Sequence, residues 1–328
     1  MKPCRRCLVG LGLGVLVTAR ARAAAPPPPG RRRLGVLLFD REQIWAFLKP
    51  DLRQALAELG WVEGANLTTD WRFADGDAAR LPALAAALAG SGVDAIMTRG
   101  TPATHALQRA TRTVAIVTGV GDPIGSGFAE TLARPGGNIT SISWAEAESA
   151  QKKLELLREL VPGLARLTIV IKADRRPFLA EMTGAIEAAA RAATITTRVA
   201  LVASAGELGQ ELLRMPGKSL HAAFVFGLGA DIAPTEVAGA LPLARVPSVF
   251  EYRLDVDAGG QMSYRLDWDD QTRRTGAQID KVFRGETPQQ IPFELPTRTE
   301  FVLNARTAKA LGLAIPHALR VRADEVIQ

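Results

Sequence analysis

Short apolar runs alternate with longer stretches of helical periodicity along most of the chain, beginning at residue 34. The run 34–39 (LGVLLF) predicts a buried strand, and 45–59 carries apolar positions at helical spacing up to Gly60. The same alternation predicts strands at 66–73, 94–98, 113–118 and 138–143, and helices at 80–88, from Thr101 onward and at 122–133. Strands that alternate with helices in this way indicate βαβ units and parallel sheets.

The pattern then starts again, which predicts a second α/β half of similar make. Helices are predicted at 146–160, 177–192, 207–214 and 235–244, and strands at 167–171, 196–202, 222–226 and 247–252. The rest of the chain predicts a strand at 259–265, a helix at 269–283, an extended piece through 294–303 and a helix at 305–311. A tail of this size is long enough to return to the first half and then to the second.

The predicted fold class is therefore α/β, with two doubly wound parallel-sheet lobes joined by a multi-crossover hinge. We expect residues 34–143 and 254–286 to form lobe I, and residues 144–253 and 287–328 to form lobe II. Ligands of open α/β sheets bind at the carboxyl ends of the strands. The residues that recognise a ligand should therefore gather where these strand ends face a cleft between the lobes.

The N-terminal segment has the three parts of a secretory signal peptide. Lys2, Arg5 and Arg6 form a basic region, residues 8–17 form an apolar region, and small residues follow up to Ala25. We expect residues 1–25 to be removed and residues 26–33, rich in Pro and Arg, to form a spacer. The Arg5-Arg6 pair leaves both the general secretory route and the twin-arginine route open.

Removal of this segment changes how the charge and the cysteines are interpreted. The formal net charge is +6, and residues 1–25 carry five basic residues and no acidic one, which leaves +1 for the mature chain. Both cysteines, Cys4 and Cys7, are lost as well. The mature chain therefore has no disulfide, thiolate metal site or thiol nucleophile. The small net charge and the 5% aromatic content argue against a nucleic-acid partner.

Several residues at predicted strand ends have chemistry suited to a ligand. Thr101 opens a helix whose N-terminus suits a carboxylate, although the same spacing fits a plain N-cap with Pro102 at the first turn. Asp174 is suited to an ammonium group, or is a solvated loop residue. The chain has two tyrosines, Tyr252 and Tyr264, and both fall on predicted cleft segments where they could stack on a ligand or simply favour a sheet.

Other patterns point away from catalysis and from metals. The glycine-rich turn 119–125 lacks the spacing of a dinucleotide loop, so we expect Asp122 to cap the following helix. The three histidines are scattered, and no nucleophile elbow is present. An acidic cluster lacks the spacing of a calcium loop, so we expect a solvated loop there; its members are Asp255, Asp257, Asp267, Asp269 and Asp270.

A set of short segments together resembles one known family almost from end to end. They include 59–66 (LGWVEGAN), 121–125 (GDPIG), 134–140 (RPGGNIT), 258–264 (AGGQMSY) and 304–313 (NARTAKALGL). This set is similar to the periplasmic substrate-binding component of ABC transporters of the tryptophan/tyrosine-uptake type. The resemblance implies the type I periplasmic binding fold, with a ligand closed between two lobes, in a protein that is exported to the periplasm.

The resemblance also implies a set of ligand-binding positions and partners. The positions are Phe73, Ala74, Thr101, Pro102, Asp122, Ser143, Asp174, Glu251 and Tyr264. The implied partners are a small molecule, an amino acid or a related carboxylate, and the transmembrane subunits of an ABC permease. No cofactor, metal or catalytic residue is implied, and the mature chain is expected to be a monomer without a membrane span. Arg175 and Arg176, where the family often has other residues, favour a more acidic ligand.

Two other functions stay open at this point. One is an exported α/β enzyme that acts on a small carboxylate through Asp122 and Ser143. The other is a ligand-sensing module that is presented to a membrane partner. The paired lobes and the lack of a nucleophile–base arrangement favour the binding protein over both alternatives.

Overall fold

The computed structural model describes residues 30–46, 48–173, 177–215, 220–227 and 246–328. These residues form two sheets of five and seven strands, each with helices on both faces. The α/β class and the two mainly parallel sheets agree with the prediction. The predicted signal peptide, the predicted helix at 235–244 and the candidate ligand residue Asp174 lie outside the described residues.

The first sheet is entirely parallel and forms the core of lobe I. Its order is β2-β1-β3-β4-β5, and its strands are β1 Arg32–Leu38, β2 Leu67–Phe73, β3 Ala95–Arg99, β4 Ala115–Val120 and β5 Ile139–Ser143. The helices that follow its first three strands are α1 Leu48–Glu58, α2 Leu81–Ala89 and α3 Thr101–Ala110.

The continuous apolar run of β1 has a direct structural cause. Leu34, Val36 and Leu38 enter the core on one face of the sheet, and Leu37 enters the core on the other. Side chains alternate across a strand, so a strand covered on both faces must be apolar at every position.

The second sheet forms the core of lobe II and has one reversed strand pair. Its order is β12-β11-β10-β9-β8-β6-β7, and among the described pairs β10 with β11 alone is antiparallel. The strands are β6 Arg166–Lys172, β7 Thr196–Val202, β8 His221–Phe226, β9 Ser248–Phe250, β10 Met262–Leu266, β11 Thr299–Asn304 and β12 Glu325–Ile327. The remaining helices are α4 Glu146–Leu160, α5 Pro177–Ala192, α6 Ala205–Leu213, α7 Arg253–Asp257, α8 Trp268–Phe283, α9 Ala305–Ala310 and α10 His317–Arg322.

The chain crosses between the lobes three times within the described residues. It leaves lobe I after β5, returns between β10 and α8, and leaves again before β11. The return is fixed by packing, because Ile279 and Phe283 of α8 are buried in the same core as Leu52 and Leu56 of α1. Crossings of this kind are where a hinge between lobes has to bend.

The tail divides between the lobes differently from the expected boundaries. Strand β10, expected in lobe I, pairs with β9 in the second sheet and places Met262 in the lobe II core. Phe293, expected in lobe II, is buried in the lobe I core, and Glu294 bridges to Ile142 of β5. The apolar pattern marked these segments as ordered, but strand pairing and core contacts decide which lobe each one joins.

The helix expected at 122–133 is absent, and turns take its place. Gly127 adopts a φ of +71°, outside the helical region, and Asp122 Oδ1 accepts the Gly125 N–H at 2.8 Å to close a local turn. The structure also contains α7, α10 and β12, which the sequence pattern did not predict. All three are short, and elements of this length carry little periodic signal.

Helix α8 approaches α1 closely at a glycine, which gives a test of the lobe I packing. A Cβ on Gly276 would lie 3.2 Å from the Ala55 Cβ, whereas a Cβ on Gly184 of α5 would meet nothing within 4 Å. Gly276→Val should therefore lower the free energy of unfolding by about 1–3 kcal/mol through overpacking. Chemical denaturation measures the change.

Gly184→Val is the matched control, because it makes the same substitution in a helix with open space. We expect it to change the free energy of unfolding by less than about 0.5 kcal/mol. Equal stability of the two variants would contradict the close α1–α8 contact.

Candidate ligand-binding cleft

The carboxyl-end loops of the two sheets meet at a direct contact between the lobes. Thr101, the first residue of α3 in lobe I, donates its hydroxyl to Glu181 Oε2 of α5 in lobe II at 3.2 Å. Helix α3 follows β3, and α5 follows β6, so both partners stand near strand ends. Burial raises the pKa of Glu181, with a smaller opposing effect from its bond to Thr101. The contact places the cleft between these two edges.

A buried arginine ends strand β3 at the lobe I side of this cleft. Arg99 is 3% exposed and lies between Leu38 of β1 and Gly119 of β4 in the sheet register. Its Nη2 donates to Thr272 Oγ1 of α8 at 3.3 Å, and its Nη1 has no hydrogen-bond partner. Burial lowers the pKa of Arg99 to about 10, so the guanidinium stays charged at neutral pH.

Two tryptophans from separate segments lie beside this guanidinium, and a third packs against one of them. The Arg99 Cζ lies 4.9 Å from the centre of the Trp268 ring and 5.7 Å from that of Trp45, both within cation–π range. Trp144 meets Trp268 edge to face, with 6.1 Å between the ring centres. A Cβ on Gly119 would lie 2.8 Å from Trp144 Nε1, so glycine is needed there for the ring to lie over β4.

Two carboxylates stand close together at the end of β9 in lobe II. Glu251 Oε2 accepts the Gly227 N–H at 3.2 Å, and Asp255, in the first turn of α7, is 8% exposed. Burial, with a smaller effect from the Glu251 charge, raises the pKa of Asp255 to about 6 despite a backbone hydrogen bond with Tyr252. Burial and a neighbouring negative charge both disfavour the ionised form of a carboxyl group, and a nearby cation favours it. The pair is therefore suited to a positively charged group.

The structure places the sequence-predicted site residues in two groups. Thr101, Pro102, Asp122 and Glu251 lie at strand ends and are partly or fully exposed. Asp122 also holds the turn described above. These four positions are compatible with contact to a ligand in the cleft.

The other described candidates take part in packing or local bonding. Ala74 is fully buried and Ser143 is 2% exposed, with its hydroxyl donating to the Gly121 carbonyl at 3.0 Å. Phe73 stacks on Trp71, with 6.4 Å between the rings. Tyr264 packs against the lobe II core and meets Phe301 edge to face at 6.4 Å. Each of the four side chains thus has a contact inside its own lobe, and Phe73 and Tyr264 are also partly exposed.

The prediction that the acidic cluster forms a solvated loop is partly wrong. Asp255 and Asp270 are each 8% exposed, and Asp267 caps α8 by accepting the Asp270 N–H at 2.9 Å. Sequence reasoning thus missed Asp255 as a site residue, and it also missed Arg99. Arg99 did carry a signal, because a charged residue ends the otherwise uncharged strand AIMTR. The tryptophans gave no comparable signal, since their grouping depends on three distant segments.

No group of three or more His, Cys, Asp or Glu side chains among the described residues is placed to hold a metal ion. None of the helices described combines the length and the apolar character that crossing a bilayer requires.

Comparison with solved structures shows the fold. A Streptococcus pneumonia ABC domain, crystallised in complex with L-Trp, has a TM-score of 0.73 and 24% identity, covering 91% of this chain and 100% of that one. A ligand-free, open substrate-binding protein with adhesive properties from Clostridium difficile has a TM-score of 0.66 and 21% identity, covering 90% and 99%. The predicted two-lobe, type I periplasmic architecture is confirmed.

Comparison of sequences shows the family. A tyrosine-binding protein of Clostridioides difficile (strain R20291) is 22% identical over 270 residues, which span 79% of this chain and 75% of that protein. The family model for ABC transporter substrate binding proteins matches residues 49–327, which include both lobes and all three crossovers. This chain therefore belongs to the family of ABC transporter substrate-binding proteins, which bind a small molecule and deliver it to an ABC permease.

Proposed function

We propose that this protein captures an amino acid-like molecule in the periplasm, closes its two lobes over it and presents it to the permease as a monomer. The observation that carries the ligand class is the pair of carboxylates, Glu251 and Asp255, at the cleft side of lobe II. Their shared, partly desolvated negative charge suits the ammonium group of an amino acid. The tyrosine-binding and L-Trp-bound relatives support an aromatic amino acid.

Closure follows from binding that uses both lobes. A ligand shifts a two-state equilibrium only through its different affinity for the two states. The ammonium would bind at Glu251, with Asp122 and Asp174 as further candidates, and the acidic group would bind across the cleft in lobe I. A ligand held from both sides stabilises the closed form and favours hinge bending at the crossovers.

The first experiment identifies the ligand of the mature chain. The protein is purified from the periplasm, denatured to release any bound molecule for mass spectrometry, refolded and screened by thermal shift. The panel contains amino acids, small carboxylates, nucleosides and sugars. An aromatic amino acid at 100 times its Kd should stabilise the fold by about 2.7 kcal/mol. Chemical conversion of a bound compound would favour the exported enzyme instead.

Glu251→Gln should weaken binding of that amino acid by about tenfold or more, because hydrogen bonds to charged groups contribute roughly 1.5–3 kcal/mol. Glu286→Gln is the matched control, since Glu286 is exposed in the turn after α8. Isothermal titration calorimetry measures both affinities. Unchanged affinity in Glu251→Gln would contradict the proposed ammonium site.

Binding should also depend on pH through Asp255. The free protein holds the pKa of Asp255 at about 6, and a bound ammonium lowers it, because an opposite charge favours the ionised form. Affinity is therefore full above pH 6 and falls as the pH drops through about 6, with protons released on binding in that range. Calorimetry in buffers of different ionisation enthalpy measures this release.

Asp255→Asn should remove this pH dependence, because asparagine does not titrate. Asp257→Asn, on the same helix and without the burial of Asp255, is the control and should keep it. Proton release of equal size in Asp255→Asn and in the unaltered protein would assign the effect to another group.

A further inference from the structure

We propose that Arg99 and the tryptophans around it form the subsite that binds the ligand's carboxylate, so that the ligand class is an aromatic carboxylate. This inference rests on the proposed function and deepens it, because it names the anion site as the end of β3 instead of the N-terminus of α3, which the sequence pattern predicted. Four observations on lobe I support it.

The first observation is the unsatisfied guanidinium. Among the described residues no carboxylate lies within ion-pair distance of Arg99, and its Nη1 has no acceptor. Asp51 and Asp269 act on the site at longer range, and both burial and the Asp269 charge raise the pKa of Asp51. A buried charged donor without an acceptor is unfavourable, and a carboxylate matches the fork of a guanidinium with two parallel hydrogen bonds.

The second observation is that two other arginines near the strand ends of lobe I are already paired. Arg72 at the end of β2 forms an ion pair with Asp70 at 2.7 Å, and Arg80 pairs with Asp75. Each of these arginines has its negative partner within lobe I. Arg99 differs from them in being both buried and without such a partner.

The third observation concerns the position that sequence reasoning favoured. Thr101, at the N-terminus of α3, donates to the carboxylate of Glu181 from the opposite lobe. A protein carboxylate thus already occupies the favourable end of the helix dipole. A second carboxylate from a ligand would lie beside a like charge there, which favours Arg99 as its site.

The fourth observation is the aromatic and polar lining. Trp45, Trp144 and Trp268 are each partly exposed; the first and last lie over the guanidinium, and Trp144 packs against Trp268. Gln271 lies one turn after Trp268, is 1% exposed, and has no partner for either amide atom. Aromatic rings that lie beside unsatisfied polar groups suit a planar aromatic ligand with a polar end.

The position of two of these tryptophans also connects the subsite to closure. Trp144 directly follows β5, and Trp268 opens α8, so they stand on two of the three crossovers. A ligand that contacts both rings would contact the segments that bend when the lobes close. Recognition of the ligand and movement of the hinge would then depend on the same side chains.

The test removes the carboxylate from the ligand and the guanidinium from the protein, separately and together. The probes are L-tyrosine, tyramine, which lacks the carboxylate, and 3-(4-hydroxyphenyl)propanoate, which lacks the ammonium. Calorimetry compares the refolded, ligand-free protein with Arg99→Gln, Arg99→Lys and Thr101→Val. Arg72→Gln is the matched control, because that arginine lies near the carboxyl end of β2 in the same sheet and has its own acidic partner.

We expect Arg99→Gln to weaken L-tyrosine and the propanoate by about tenfold to a hundredfold and to leave tyramine unchanged. Arg99→Lys should fall between, because it keeps the charge and loses the planar fork. If circular dichroism shows that Arg99→Gln does not fold, Arg99→Lys still tests the role of the guanidinium. Arg72→Gln and Thr101→Val should change none of the three affinities by more than about twofold.

Three results would overturn the inference. Unchanged binding of L-tyrosine by folded Arg99→Gln and Arg99→Lys is the first. A loss confined to the carboxylate probes in Thr101→Val is the second, because it returns the anion site to α3. Failure of the unaltered protein to bind any of the three probes is the third; it rejects the aromatic carboxylate, while the mass of a co-purified molecule still decides the proposed function separately.

Discussion

The packing of helix α8 onto helix α1 is the contact on which the rest of the molecule depends. Ile279 and Phe283 complete the lobe I core, and Trp61 joins them through an edge-to-face contact with Phe283 at 4.9 Å and a hydrogen bond to Asp280 at 2.8 Å. The chain must therefore return to lobe I after it has built most of lobe II. This return creates two of the three crossovers and so defines the hinge.

The same helix determines the chemistry of lobe I at the cleft. Trp268 and Thr272 lie one turn apart on α8 and both reach Arg99, so the strand end and the crossover share one set of contacts. Further along, Gln278 donates to the Ser141 carbonyl at 3.2 Å and ties α8 to strand β5. Helix α8 therefore contributes both to the core of lobe I and to the boundary of the proposed binding site, and the hinge lies directly beside it.

In the proposed mode of binding the two lobes supply opposite charges. Lobe I carries the buried guanidinium of Arg99, and lobe II carries the carboxylates of Glu251 and Asp255. Burial desolvates Arg99 and Asp255, and a desolvated charge is stabilised by a partner of opposite sign. A molecule with an acidic and a basic group would satisfy both only when the lobes are close, and that would link the free energy of binding to the free energy of closure.

The sequence by itself determined the fold class, most element positions and the family. The predicted and observed bounds agree for three elements, namely helices 146–160 and 177–192 and strand 196–202. In segments of this length the spacing of the apolar residues shows which positions are buried. The nine candidate positions came from the predicted strand ends and from the resemblance, and six of the eight described ones are at least partly exposed. Only the tertiary structure decided which lobe holds Met262 and Phe293, and that Arg99 and Asp255 are buried. Burial and charge pairing arise from segments far apart in the chain, and no local pattern of residues records which of them meet.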